Sequence, residues 1–142
     1  MIMTIGHSTR TAADFLALLK AHAVTGIAYI HIPGLGGLRK PAKDSVNSGW
    51  RVEGFRGYAD HMQSAEFRAG LDALLAFSET HLAAVMCAEA KWWQCHRQLI
   101  ADALVASGVD VRHILSAGDP PPHQLTPFAR ANDPEVTYPG LI

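Results

Sequence analysis

The spacing of hydrophobic positions changes along the chain, and each spacing predicts one kind of element. Residues 1–5 are almost entirely apolar, which is typical of a short buried strand. An apolar stripe with helical spacing follows, made of Phe15, Leu18, Leu19 and His22. Thr11 stands where the N-cap of that helix is expected, and Gly26 is placed to end it. β-branched residues over 27–33 then predict a second strand.

The remainder of the chain alternates between long connections and clear elements. Residues 34–57 are rich in glycine and lack periodicity, and connections of that length are usually functional or mobile. Ser64 caps a predicted helix whose inward face carries Phe67, Leu71, Leu74 and Leu75. Residues 82–115 predict strand, turn, helix over 95–107 and strand, and prolines dominate from Ser116 onward.

Helices that alternate with strands imply βαβ units and a mostly parallel sheet. The predicted fold is therefore α/β, with a small, mostly parallel sheet flanked by helices, similar to Rossmann-like or flavodoxin-like domains. Residues 1–142 are expected to form one domain, with residues 116–142 as an irregular, proline-rich tail packed on it.

The composition and the charge limit which cellular environments and which partners are expected for this chain. Of the 142 residues 49% are hydrophobic and 18% charged, and the net charge is −1, which argues against a chain that coats DNA or a membrane surface. No apolar stretch is long enough to span a bilayer and no basic segment precedes the first strand, so we expect a cytoplasmic protein without a membrane partner. The two cysteines are accordingly expected as thiols or ligands.

The main candidate site lies where the strand of residues 82–115 meets its helix. Cys87 and Glu89 leave the strand end on the same face, and Cys95, His96 and Arg97 open the helix. Ligands of open α/β sheets bind at such junctions, and a helix N-terminus favours anions and lowers the pKa of a thiol. The alternative is structural, with both thiols packed in the core and Glu89 paired with Arg97.

Several enzyme classes are excluded by spacing. A Cys-x5-Arg phosphatase loop needs arginine at position 93 or 101, which are Trp93 and Ala101. No Cys-x-x-Cys redox pair and no zinc-deaminase signature occur. A zinc site built from His7 with the Cys87, Cys95 and His96 side chains matches no standard spacing, so no metal is predicted and the cofactor stays unknown.

Two further segments carry candidate binding residues. His7, Ser8 and Arg10 follow the first strand and can hold a phosphate at a helix start, or they simply cap and turn the chain. Residues 34–58 hold five basic against two acidic side chains. Their aromatic residues include Tyr58, and the mixture of Arg56 with neighbouring rings can stack on nucleic acid bases or form an ordinary solvated loop.

The motifs together resemble the family catalogued as domain of unknown function 488. The resemblance is carried by Thr4-Ile-Gly-His-Ser8, Leu35-Gly-Gly37, Phe55-Arg-Gly-Tyr-Ala-Asp60-His-Met62 and Cys87-Ala-Glu89 followed by Cys95-His-Arg97. It implies a small α/β domain of uncharacterised function. The family's motif residues fall here on His7, Ser8, Cys87, Glu89, Cys95, His96 and Arg97.

One departure separates the chain from that family pattern. Members usually continue from the first helix into a strand bearing Asp-x-Arg, a loop and another helix, whereas here Thr25 is followed directly by Gly26. Either that segment is lost or further residues separate the two. A true loss would remove any role of that Asp and Arg.

Three functional hypotheses follow. The leading one is an enzyme-like pocket for an anionic small molecule such as a nucleotide, with Arg97 and Arg10 holding the anion. In it Glu89 or His7 serves as acid or base, and Cys87 or Cys95 as nucleophile. The second is a non-catalytic domain that binds nucleic acid or another partner through residues 34–58. The third is a purely structural polar cluster.

Overall fold

The computed structural model describes residues 1–24, 28–132 and 135–141. Its strands are β1 (Ile2–Gly6), β2 (Ala84–Cys87), β3 (Val111–Ile114), β4 (Arg130–Asn132) and β5 (Glu135–Thr137). Its α-helices are α1 (Ala12–Ala21), α2 (Glu53–His61), α3 (Ala65–Thr80) and α4 (Arg97–Ala106). Short 3₁₀ turns cover Pro33–Leu35 and Trp92–Gln94.

The central sheet is parallel and has the strand order β2-β1-β3. β1 is the middle strand, with Gly6 opposite Cys87 on one side and Thr4 opposite His113 on the other. The prediction of an α/β fold with a mostly parallel sheet flanked by helices is confirmed.

The two faces of β1 bury different sets of residues, because successive side chains of a strand point in opposite directions. Met3 and Ile5 pack with Leu18 and Leu19 of α1. Ile2 faces the larger core. That core joins α2, α3, α4 and the C-terminal segment, and its largest members include Tyr58, Phe67, Leu71, Leu99, Leu104 and Tyr138.

Local capping explains where two helices begin. The Thr11 side chain accepts a hydrogen bond from the Asp14 backbone N–H at 3.1 Å, and the Ser64 side chain accepts one from the Phe67 N–H at 3.1 Å. Each bond satisfies one of the free N–H groups at a helix start. Both predicted helix starts are therefore confirmed. The predicted stop at Gly26 lies outside the described residues, and α1 ends at Ala21.

The long connection of residues 34–57 was predicted without regular structure, and this is wrong for its final part. α2 begins at Glu53, and its glycines weaken the periodic signal that would have revealed it. Asp60 holds the preceding segment against this helix, since its carboxylate accepts from the Ala42 N–H at 2.8 Å, the Ser45 hydroxyl at 2.6 Å and the Asn47 side chain at 2.8 Å.

The predicted second strand is wrong for the residues that the structure describes. Residues 28–32 have no regular structure, and Pro33 starts a 3₁₀ turn. β-branched residues favour a strand only where a neighbouring strand supplies hydrogen bonds, and residues 28–32 pair with none of the described strands. Residue 27 and the Thr25–Gly26 junction lie outside the described residues.

The C-terminal segment packs on the domain but is not wholly irregular. β4 and β5 pair in an antiparallel ladder. Tyr138 is buried, and its N–H donates to the Asn47 side chain at 2.8 Å. The Trp50 ring lies 5.4 Å from Tyr138 and 4.9 Å from Phe128, so an aromatic cluster fixes this segment.

None of the α-helices in the described residues combines the length and the hydropathy needed to cross a bilayer.

Gly6 is expected to tolerate no side chain. A Cβ at this position would lie 1.8 Å from the Glu89 carbonyl oxygen, where only backbone movement relieves the clash. We expect Gly6→Ala to lower the free energy of unfolding by about 3 kcal/mol or more, measured by urea denaturation. Gly54→Ala is the control, because a Cβ there meets nothing within 4 Å and alanine favours the helix by about 0.5–1 kcal/mol. Equal stability of the two variants would contradict this account.

Candidate functional site

The carboxyl ends of β1 and β2 bring two of the predicted segments together. The ladder continues past the strands, since the His7 N–H donates to the Cys87 carbonyl at 2.9 Å and the Ser8 N–H to the Ala88 carbonyl at 2.8 Å. Cys87 itself is half-buried at the end of β2. The predicted convergence of these motifs at one sheet edge is therefore present in the structure.

Two sulfur atoms and an imidazole form the centre of this edge. The Sγ atoms of Cys87 and Cys95 and a ring nitrogen of His96 all lie within 4.8 Å of one another. Cys95 is buried, with 5% of its surface exposed, whereas Cys87 is partly accessible. Accessibility therefore distinguishes two thiols that are otherwise neighbours.

The two neighbouring thiols differ in acidity. The Cys95 thiol beside it lowers the pKa of Cys87 to about 5, with smaller contributions from the Glu89 backbone and from Arg97. The contact with Cys87 and burial raise the pKa of Cys95. The partly accessible Cys87 is thus the more acidic of the two, and its thiolate is the reactive form of cysteine.

Arg97 holds this arrangement from inside the protein. Its side chain is buried, and Nε donates to the Cys95 sulfur at 3.1 Å while the backbone N–H donates to the same sulfur at 3.3 Å. Nη2 donates to the backbone carbonyls of Glu89 and Ala90. The Arg97 guanidinium therefore holds both the turn at Glu89 and Ala90 and the side chain of Cys95 in place.

Glu89 occupies a different position from the one expected in the structural alternative. Its side chain is exposed, and it forms no ion pair with Arg97 among the described residues. Only its backbone carbonyl contacts Arg97. The Glu89 carboxylate is thus free of the buried part of the site.

The three ligand atoms of Cys87, Cys95 and His96 have the donor types that zinc uses. Arg97 already contacts one of these three atoms, since its Nε donates to the Cys95 sulfur at 3.1 Å.

His96 stands between the thiols and the core. Burial lowers its pKa, so the imidazole is neutral at pH 7 and can accept a proton. The Tyr58 ring lies 5.1 Å from it, and a Cβ at Gly37 would lie 2.7 Å from its Nδ1. Tyr58 is fully buried and donates to the Leu35 carbonyl at 2.8 Å, so it positions His96 and has no surface to offer a ligand.

The predicted phosphate-binding turn after β1 is occupied by internal contacts. The Arg10 guanidinium donates to the carbonyls of Gly6 and Leu115, and thereby ties the ends of β1 and β3 together. His7 is exposed, and its Nδ1 lies 3.1 Å from the Ser8 carbonyl. Ser8 is exposed with a φ of 47°, a left-handed conformation.

Residues 34–58 present few aromatic surfaces to a nucleic acid. Trp50 and Tyr58 are buried, and Phe55 packs against the same core. Arg56 donates to the Trp50 carbonyl at 3.4 Å, and Arg39 lies 3.7 Å from Glu66. Of the two alternatives for these rings, packing against the domain is the one seen for Trp50, Phe55 and Tyr58.

An apolar cavity of about 610 Å³ borders β2 and reaches the site. His96 and Gly37 line it, and so does Met86, the residue before Cys87. Much of the remaining lining is aliphatic or aromatic and includes Phe15, Leu19, Ile32, Leu74, Phe77 and Val85. A ligand in this cavity would bury apolar groups beside His96, whose ring nitrogen lies within 4.8 Å of the Cys87 sulfur.

A second polar cluster, which the sequence did not reveal, lies beneath the site. We call it the histidine network. The Thr4 hydroxyl lies 2.7 Å from His113 Nδ1, His113 Nε2 lies 2.9 Å from His123 Nδ1, and His123 Nε2 lies 2.8 Å from Asp102. The Tyr138 hydroxyl donates to the other Asp102 oxygen at 2.8 Å. Trp92 stacks on the His113 ring at 4.2 Å.

Asp102 lies at the end of the histidine network. One of its carboxylate oxygens lies 2.8 Å from Nε2 of His123, and the other accepts from the Tyr138 hydroxyl at 2.8 Å. His113 and His123 connect this carboxylate to the Thr4 hydroxyl, so all four imidazole nitrogens have a partner.

The chain matches a described protein family. The family described as "Domain of unknown function DUF488" matches residues 11–104, more than half of the 142 residues and a span that includes both cysteines. Neither a curated protein nor a solved structure matches the chain.

Asp102 is expected to be a main source of stability. Asp102→Asn replaces an acceptor by an amide N–H₂ that faces other donors, so we expect a loss of about 2–4 kcal/mol in the free energy of unfolding. Asp72→Asn, on the exposed side of α3, is the matched control and should change little. Chemical denaturation of both variants measures the difference, and comparable losses would count against the histidine network.

The stability of the fold should depend on His113 in acid. Burial, followed by the nearby His123 and Arg97, lowers the pKa of His113 from 6.5 to about 3. Between these values the unfolded chain binds the extra proton, so the free energy of unfolding falls as the pH falls, by about 1.4 kcal/mol per pH unit. His113→Gln should show a shallower slope between pH 6 and 4 in urea titrations, and an unchanged slope would refute this assignment.

Proposed function

The chain belongs to the family described as domain of unknown function DUF488, and from that premise we propose that it is a thiol-dependent enzyme with Cys87 as nucleophile. The observation that carries the proposal is the pair of neighbouring thiols at the sheet edge, of which Cys87 is the accessible member and the one with the lowered pKa. Its substrate is a small molecule with an electrophilic carbon and an apolar portion.

Cys87 is favoured over Cys95 as the nucleophile. Cys95 is buried and accepts two hydrogen bonds from Arg97, so an external substrate has no path to its sulfur without displacing them. Its thiol instead donates to Cys87 and stabilises the thiolate. Cys95 and Arg97 are thus positioning residues in this proposal.

The covalent step joins Cys87 to the substrate. The Sγ thiolate attacks the electrophilic carbon, the carbon–sulfur bond forms, and the bond to the leaving group breaks with its electron pair. Neutral His96, within 4.8 Å of the sulfur, can take a proton from a water that releases the bound group and restores the thiolate. The exposed His7 and Glu89 are alternative proton carriers at the rim of the site.

The cavity beside β2 supports an apolar substrate portion. Its lining is largely aliphatic and aromatic, and it extends to His96. The sequence hypothesis of a phosphate-bearing or nucleotide ligand has less support, because Arg10 and Arg97 donate to backbone carbonyls and the thiolate repels an anion. A cytoplasmic location remains part of the proposal, as reduced thiols require.

Alkylation by electrophiles tests the proposal directly. We expect α-chloroamides to label Cys87 in the folded chain, with a rate that grows about fourfold for each methylene of the probe that enters the cavity. Peptide mass spectrometry identifies the labelled residue. The denatured chain is the control and should show no preference for longer probes. A folded protein that is labelled no faster than the denatured one would overturn the proposal.

The pH dependence of this labelling should follow the thiolate. Because the pKa of Cys87 is about 5, the rate should rise through pH 5 and level off near neutrality. Cys95→Ala removes the hydrogen bond to Cys87, so its profile should move toward the ordinary cysteine pKa of about 8.5. Identical profiles for both proteins would show that Cys95 does not support the thiolate.

A further inference from the structure

We propose that Cys87 and Cys95 form a reversible intramolecular disulfide when the protein meets a hydroperoxide. This modification goes beyond the proposed enzyme activity and stands apart from it, since oxidation requires only the two sulfur atoms and an oxidant. Its effect is to switch the site between a dithiol state and a closed state.

The positions of the two sulfurs support this modification. They lie within 4.8 Å of each other, and no other cysteine is present in the chain, so neither has a competing partner within the molecule. Cys87 is accessible enough to meet a small oxidant, whereas Cys95 is buried behind it. One thiol is therefore placed to react first and the other to react second.

The surrounding bonds keep the second thiol ready. Arg97 donates to the Cys95 sulfur through both Nε and its backbone N–H, and these two bonds hold the sulfur in position. The same guanidinium fixes the carbonyls of Glu89 and Ala90 in the short segment between the two cysteines. The turn between the two cysteines is thus held by Arg97.

The chemistry balances in two steps. The Cys87 thiolate attacks one oxygen of the hydroperoxide, the O–O bond breaks, and the departing oxygen takes a proton, which leaves a sulfenic acid on Cys87. Cys95 then attacks that sulfur, the S–O bond breaks, and the oxygen leaves as water with the Cys95 proton. Two electrons pass from the thiols to one peroxide, and a dithiol reductant reverses the change.

Closure would alter the site beyond the loss of two thiols. The thiolate charge disappears, and the sulfur that accepts from Arg97 becomes a much weaker acceptor. The end of β2 becomes covalently joined to Cys95, two residues before the start of α4. Any chemistry that needs free Cys87 then stops until the bond is reduced.

Peroxide titration of the full chain tests this modification. After one equivalent of hydrogen peroxide, we expect an intact mass lower by two hydrogen atoms and a Cys87–Cys95 crosslinked peptide. Labelling of Cys87 by iodoacetamide should be lost and then restored by dithiothreitol.

The two serine variants serve as matched controls. Cys95→Ser should accumulate a Cys87 sulfenic acid that dimedone traps, whereas Cys87→Ser should resist oxidation because Cys95 is buried. A wild-type protein that accumulates sulfenic acid, links two chains or resists peroxide would overturn the proposal. The titration of the wild-type protein tests the proposal even if a serine variant does not fold. Electrophile labelling is scored separately, so the two proposals can fail independently.

Discussion

The buried guanidinium of Arg97 is the group on which the rest of the site depends. Removing a charge from water is costly unless hydrogen bonds replace the lost hydration. Here the carbonyls of Glu89 and Ala90 and the sulfur of Cys95 supply those bonds. Gly6 allows the same turn to approach β1 closely. The shape of the sheet edge thus follows from the need to satisfy one cation.

Much of the frame was predictable because local signals specify it. Thr11 and Ser64 satisfy N–H groups within a few residues, so their helix starts can be read from the chain. The Cys87 and Cys95 segments were expected to meet because strand ends and helix starts share an edge in parallel sheets. What Arg97 contacts was not predictable, since the sequence gives the charge but not the direction of the side chain.

The features that the sequence did not predict depend on contacts between residues that are far apart in the chain. The histidine network joins Thr4 with Asp102, His113 and His123, and each residue alone looks like an ordinary position in its element. The segment 28–32 failed as a strand for the same reason, because strand formation depends on a neighbour that no local pattern reveals.

The histidine network also constrains the register of the central sheet. Thr4 and His113 face each other across β1 and β3, and both are fully enclosed. A slip of one residue between these strands would turn each side chain to the opposite face of the sheet. The His113 imidazole would then lie among aliphatic groups, and Asp102 would lose a hydrogen-bond donor. Hydrophobic contacts alone tolerate such slips more readily. The histidine network therefore specifies a single register between β1 and β3.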